Sequence, residues 1–171
     1  SDIRSSFAGL AGAAGGIPLA VTLTVVSRSS CEPLAGRAIY LWHCDREGRY
    51  SLYSGGVADQ NYLRGVLETN GDGVVECETI FPGCYQGRWP HIHIEVYSSL
   101  ASATASGDPD ATSQLALPED VCDAVYATAG YGASVTNLQG ISLSTDNVFR
   151  DSVALQLASS PGASPRDTRP S

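Results

Sequence analysis

The sequence has no methionine and few basic residues: Lys and Arg together number 10 against 18 Asp and Glu, for a net charge of −8. Nucleic-acid binding needs clustered basic charge, so this balance excludes a DNA or RNA partner. It does not choose among the other functions of an acidic protein. No apolar run approaches the length that crosses a bilayer, and no membrane partner is expected. The nearest run, residues 10–26, is interrupted by Gly12, Gly15, Gly16 and Pro18. It also lacks the charged start and small-residue cleavage site of a signal peptide. The first residue is Ser1, which fits a mature or a trimmed form, and any signal sequence would then already be missing. No C-x-x-C pair occurs, which removes the common zinc and thioredoxin-like motifs. Helical patterning is scarce, and no internal repeat is visible.

What is present suits one domain. A chain of 171 residues can bury a core without metal or disulfides. Cys31, Cys44, Cys77, Cys84 and Cys122 lean toward disulfides and an oxidising compartment, with an odd thiol left over. At least one disulfide and a secreted, extracellular location are therefore expected. Strand-like patterns fall at residues 21–26, 38–42, 74–80 and 91–97, with two further short runs at 140–143 and 152–157. Turn residues punctuate them at Pro33-Leu34-Ala35-Gly36 and Gly107-Asp108-Pro109-Asp110. Asn70-Gly71-Asp72-Gly73 reads as a hairpin turn, since the downstream Glu of a calcium loop is missing. Residues 118–129 can hold one helix, with Glu119 and Asp120 in its first turn. Residues 98–110 read as an exposed loop. The predicted fold is an all-β sandwich of mainly antiparallel strands with long loops and little helix. It occupies residues 1–158, followed by a Ser/Pro/Arg-rich tail or linker at 159–171.

The chemistry gathers around His91-Ile92-His93. Residues two apart on a strand point to one face, so both imidazoles aim the same way, as half of a metal site does. Tyr85 precedes them by six residues in the turn-like run Pro82-Gly83-Cys84-Tyr85-Gln86-Gly87, close enough to return its phenol to that face. Arg88 places a fixed cation beside them. Upstream, Gly48-Arg49-Tyr50-Ser51 follows Trp42-His43-Cys44-Asp45. His43 reads as a hydrogen-bonded core residue. Tyr40, Tyr53, Tyr62, Tyr97, Tyr126 and Tyr131 read as packing residues with bonded hydroxyls. Trp89 is assigned equally to the substrate side and to shielding of the metal.

Taken in order, these motifs, with Ser113-Gln114-Leu115, resemble the intradiol ring-cleavage dioxygenases, in particular their small single-domain secreted type. The resemblance covers residues 17–157. It implies one non-haem Fe(III) per chain, held by Tyr50, Tyr85, His91 and His93, with Arg88 and Gln114 near the substrate. Phenolates with imidazoles suit a hard ferric ion. The implied partners are a small catechol and O2, and the implied product is a cis,cis-muconate-type diacid of aromatic or lignin-derived catabolism. In that scheme Tyr85 leaves the iron and takes up a catechol proton as general base. Arg88 stabilises developing negative charge, and Gln114 supports it by hydrogen bonding. The loop between Tyr85 and His91 is shorter than in protocatechuate enzymes, and the N-terminal helical region of catechol enzymes is missing. A further C-terminal module is a possible partner of the tail. The competing reading is a secreted β-sandwich that binds carbohydrate or protein without catalysis. An Fe(II) extradiol or cupin-type enzyme would instead want two histidines and a carboxylate.

Overall fold

The computed structural model describes residues 1–105 and 107–160. Two antiparallel sheets face one another. The larger has four strands in the order β3-β2-β5-β6, and the smaller pairs β1 with β4. The strands are β1 (Pro18–Thr24), β2 (Ala38–Trp42), β3 (Arg64–Glu68), β4 (Val74–Ile80), β5 (His91–Tyr97) and β6 (Ala111–Ala116). Helix is confined to α1 (Leu100–Thr104), α2 (Glu119–Tyr126) and α3 (Gly132–Gln139), plus one 3-10 turn at Val153–Leu155. This is the all-β sandwich expected from the strand pattern.

Alternation builds the core. Ile39 and Leu41 of β2, Leu67 of β3 and Ile92 of β5 meet Val75 and Cys77 of β4 between the sheets. Leu19, Val21 and Leu23 of β1 close the other side, while Ala20 and Thr22 between them face outward. Burying branched side chains from both inner faces is the main stabilising term, at about 25 cal/mol per Å² of apolar surface. The same alternation turns His91, His93, Trp42 and Tyr40 to the outer face of the larger sheet. In register, Arg64, Trp42, His93 and Gln114 form one row across β3, β2, β5 and β6.

Several expectations are corrected. β3 and β6 lay outside the strand pattern. Residues 140–143 form a turn after α3, and residues 152–157 are mostly a 3-10 turn with a single bridge from Leu157 to Ala116. Residues 98–110 contain the short helix α1, whose first turn is capped by the Ser99 hydroxyl accepting from Ser102 N–H. The Asn70–Gly73 turn is locally tight, with Asn70 Oδ1 accepting from Asp72 and Val74 N–H. It joins strands of different sheets, however, and so is a crossover and not a hairpin. α2 lies where a helix was expected. Of the tail, residues 161–171 lie outside the described residues.

The expected disulfide is not formed: all five cysteines are free thiols. Three of the buried ones are turned to main-chain carbonyls. Cys44 Sγ donates to Gly83 O at 3.3 Å, Cys84 Sγ to Arg88 O at 3.5 Å and Cys77 Sγ to Glu78 O at 3.7 Å. Among the described residues no helix is long and apolar enough to cross a membrane.

Candidate metal centre

Four side-chain donors from three segments converge on the outer face of the larger sheet. The Tyr50 hydroxyl lies 3.1 Å from His93 Nε2 and 3.4 Å from His91 Nε2. The two Nε2 atoms are 3.1 Å apart, and the Tyr85 hydroxyl lies 3.4 Å from His91 Nε2. Donors bonded to one metal at about 2 Å, at near-tetrahedral or right angles, stand about 3.0–3.4 Å from each other. The sequence-predicted set Tyr50, Tyr85, His91 and His93 is thus brought together. Among the described residues no group of three or more His, Cys, Asp or Glu is placed to hold a metal ion; half of this set is tyrosine.

The donor chemistry fits a bound cation. His91 Nδ1 donates to the Trp89 carbonyl, so its Nε2 is a lone pair. That lone pair and the Nε2 of His93 stand beside two phenol oxygens, four donor atoms crowded at the spacing of metal ligands. Burial drives both imidazoles toward the neutral form, His91 to a pKa of about 4 and His93 to about 3. Burial also pushes the Tyr50 and Tyr85 phenols above their usual range. Left alone the cluster is electron-rich and unionised; a metal ion between the donors reverses the phenol preference and uses every lone pair.

The local sequence explains how Tyr50 and Tyr85 arrive. The Tyr50 loop begins at Asp45, whose carboxylate accepts from Glu47 and Arg49 N–H and pairs with the Arg49 guanidinium. Gly48 adopts φ +81°, and a Cβ there would stand 3.1 Å from the Cβ of Tyr85. Glycine is what lets the two ligand loops touch. At Gly83 a Cβ would meet Arg46 O at 2.5 Å, and Gly83 N–H donates to Asp45 O at 3.0 Å. The two motifs are therefore packed backbone to backbone.

The Tyr85 loop is held at each residue before it. Phe81 O accepts from the Tyr131 hydroxyl, Pro82 O from the Tyr126 hydroxyl, and Gly83 O from Cys44 Sγ. Cys84 is held at both main-chain groups: its N–H donates to Ser134 Oγ at 2.9 Å and its carbonyl accepts from Asn137 Nδ2 at 2.8 Å. The helical pair α2–α3 is thus the brace of the Tyr85 loop. The Tyr50 loop has its own clamp. Buried Arg64 donates to Ser51 Oγ at 3.1 Å, to Ser51 O at 3.0 Å and to the Tyr40 hydroxyl at 3.0 Å.

Arg88 and Gln114 are also in place. Arg88 Nη2 donates to Gln114 Oε1 at 2.6 Å, and Gln114 is the direct neighbour of His93 on β6. The Arg88 charge favours ionisation of both phenols and opposes protonation of both imidazoles, as a guanidinium beside all four must. Trp89 does not face the substrate side. It is buried with Ala116 and Phe149, and its indole N–H donates to Leu117 O. His43 is buried between Cys44 O and Thr79 Oγ1, tying β2 to β4, and takes no part in the donor cluster. Tyr53 is 75% exposed, beside the Arg64 guanidinium.

Sequence reasoning missed Arg64, Ser134, Asn137 and Asp146. Asp146 is fully buried and bonds Arg88 and Trp89 from far along the chain. Only its setting in Ser142-Leu143-Ser144-Thr145-Asp146, a run of side chains that bond the backbone in tight turns, hinted at more than a loop.

An antiparallel sandwich thus brings two loop tyrosines and two strand histidines together at one open sheet face, a donor set of the kind that could hold a hard metal ion. The signature of the family described as "Dioxygenase" matches residues 7–104. The chlorocatechol 1,2-dioxygenase of Rhodococcus opacus is 31% identical over 124 residues, 58% of this chain and 46% of that protein. The chain therefore spans about half the length of the curated relative it matches. Among solved structures, an intradiol ring-cleavage dioxygenase from Tetranychus urticae superposes with a TM-score of 0.76 at 26% identity, covering 92% of this chain and 75% of that one. The dioxygenase domain of a dioxygenase–carbohydrate-binding fusion from Streptomyces sp. SirexAA-E gives a TM-score of 0.59 at 27% identity, covering 96% and 82%. The chain belongs to the intradiol ring-cleavage dioxygenase family.

Proposed function

We propose that the protein is a non-haem iron(III) dioxygenase that opens a catechol between its two hydroxyl-bearing carbons, using O2, to give a cis,cis-muconate-type diacid. The observation that carries this reading is the half-buried convergence of two phenol oxygens and two imidazole Nε2 atoms within 3.1–3.4 Å. A binding module has no use for such a cluster, and an Fe(II) site of the two-histidine type would include a carboxylate. When bound, iron(III) supplies a hard Lewis acid that ionises the phenols and the catechol and makes the catecholate reactive toward O2 at carbon.

The protein's own groups divide the remaining work. Tyr50 touches both imidazoles and would hold the iron together with them. Of the two imidazoles Tyr85 touches only His91, and its phenol oxygen would be the group that takes up a catechol proton. Arg88 holds a positive charge where the oxygenated ring gathers negative charge. Gln114 accepts from Arg88 and fixes that guanidinium on the side of β6. His91 keeps its tautomer through the Trp89 carbonyl, which leaves Nε2 available to the metal throughout.

The proposal includes an extracellular location. This now rests on the likeness to small secreted members, since the thiols are free. It also includes attachment of the tail to a further module, by analogy with the Streptomyces fusion. The deciding experiment loads the purified chain with iron and adds catechol under oxygen. A red to burgundy protein, oxygen uptake and a colourless diacid carrying one labelled oxygen atom in each new carboxylate are expected. A colourless iron-loaded protein, or a yellow semialdehyde product, would overturn the reading.

A further inference from the structure

The loop carrying Asp146 follows α3 and lies 58 residues from Arg88 in sequence, yet its carboxylate bonds both Arg88 and Trp89, just before His91. Asp146 Oδ1 accepts from Val148 N–H at 2.8 Å and Phe149 N–H at 3.2 Å. Those bonds close the loop on itself, and one oxygen suffices for them. Oδ2 does something else: it accepts from Arg88 Nε at 2.9 Å and from Trp89 N–H at 2.8 Å. We propose that Asp146 is a positioning residue of the metal centre, aiming the Arg88 guanidinium and holding the peptide that sets the His91 tautomer. Its catalytic significance rests on the function proposed above.

Two chains of contact run from the one oxygen. In the first, Arg88 is held at Nε by Asp146 and at Nη2 by Gln114, and its guanidinium carbon lies 5.9 Å from the centre of the Phe149 ring. Among the described residues Nη1 has no protein partner, so the fork is fixed with one edge left for a ligand. In the second, the Trp89 peptide is pinned at its N–H by Asp146 while the Trp89 carbonyl takes the His91 Nδ1 proton. A metal-binding histidine is oriented by the acceptor of its other nitrogen, and here that acceptor is itself held by a carboxylate. Phe149, fixed by the Asp146 loop, packs its edge against the His91 ring with centroids 6.2 Å apart. The four bonds fill the acceptor sites of a carboxylate. Burial alone would raise the Asp146 pKa, but the N–H groups of Trp89 and Val148 and the Arg88 guanidinium outweigh it and keep the group ionised.

The test uses the full chain and the variants Asp146→Asn, Arg88→Ala and their combination. In the chelator-stripped protein, imidazole ¹⁵N spectra should show His91 as the Nδ1–H tautomer, and the Arg88 Nε–H should exchange slowly with solvent. In folded Asp146→Asn the His91 signals should move toward a tautomer mixture, and the Arg88 Nε–H should exchange fast. In the iron-loaded enzyme each single variant should lower kcat at least about tenfold, and the double variant should fall below Arg88→Ala by clearly less than the Asp146→Asn loss, the remainder being the part that runs through Trp89 and His91. If Asp146→Asn does not fold, Asp146→Ser, whose hydroxyl can still accept from Val148 N–H, takes its place in every arm. A folded variant with unchanged His91 and Arg88 signals, or losses that multiply in the double variant, overturns the proposal. Absence of ring cleavage in the wild type would sink the proposed function alone, because the spectra still decide the role of Asp146.

Discussion

The Trp42 indole lies flat on the His93 imidazole, ring centroids 4.6 Å apart and planes within 4° of parallel. The two residues are paired across β2 and β5, so the sheet register itself sets this stack. Tyr40 continues it at 4.8 Å from Trp42. An imidazole fixed in this way meets the metal without losing rotational freedom on binding. Stacking of this kind is worth about 0.5–1.5 kcal/mol. Trp42→Leu should therefore weaken iron binding by about two- to tenfold, measured by chelator competition, with little change in fold. An unchanged affinity would show that His93 needs no such support.

Arg64→Gln removes a buried, charged donor from Ser51 O, Ser51 Oγ and Tyr40. The expected loss is about 1–3 kcal/mol of stability, read as a lower urea midpoint. The visible band of the iron-loaded protein should broaden or shift, because the Tyr50 loop is the part set free. Arg64→Lys should not restore either property, since a single ammonium cannot reproduce the three-way fork. Full rescue by lysine would mean that charge alone matters at this position.

The two tyrosines should separate experimentally. Tyr50→Phe should bleach or strongly shift the visible band and reduce iron content. Tyr85→Phe should retain iron and part of the band, yet lose most turnover through loss of the proton acceptor. Equal iron loss in the two variants would contradict the geometry, in which Tyr50 touches both imidazoles and Tyr85 one.

His43 gives the fold a pH dependence of its own. Its Nδ1–H donates to Cys44 O, and in the neutral ring its Nε2 accepts from the Thr79 hydroxyl. Burial lowers its pKa from 6.5 to about 4. In the window between these values the unfolded chain binds the extra proton and the folded chain does not, so stability rises with pH. The contribution is complete above about 6.5 and is lost as pH falls toward about 4. Denaturation midpoints followed from pH 7 to pH 4 should drop in the wild type, and part of that drop should vanish in His43→Gln. Identical slopes in the two proteins would refute the assignment.

Short-range pattern carried much of this molecule. Alternation marked β2, β4 and β5 at their observed bounds, and a two-residue spacing put His91 and His93 on one face, because strand geometry fixes direction locally. The Tyr50 and Tyr85 motifs, with Arg88 and Gln114, were legible as a family likeness spread over separate segments. β3 and β6 were not, because Arg64 and Gln114 stand where an apolar period would be sought, and both lie on the outer face in one row with His93. α3 escaped because of the helical residues only Ser134 is fully buried, so no apolar stripe forms. The runs at 140–143 and 152–157 were apolar for another reason: Ile141, Leu143 and Val153 pack from turns against Trp89 and Phe149. Which groups hold the centre was decided only by tertiary structure. Arg64 lies 13 residues from Ser51, Ser134 and Asn137 lie 50 and 53 from Cys84, and Asp146 lies 58 from Arg88. A hydrogen bond across such a separation leaves no trace in local periodicity; it exists once the sheets, the α2–α3 brace and the loop after α3 have packed around the same four donors.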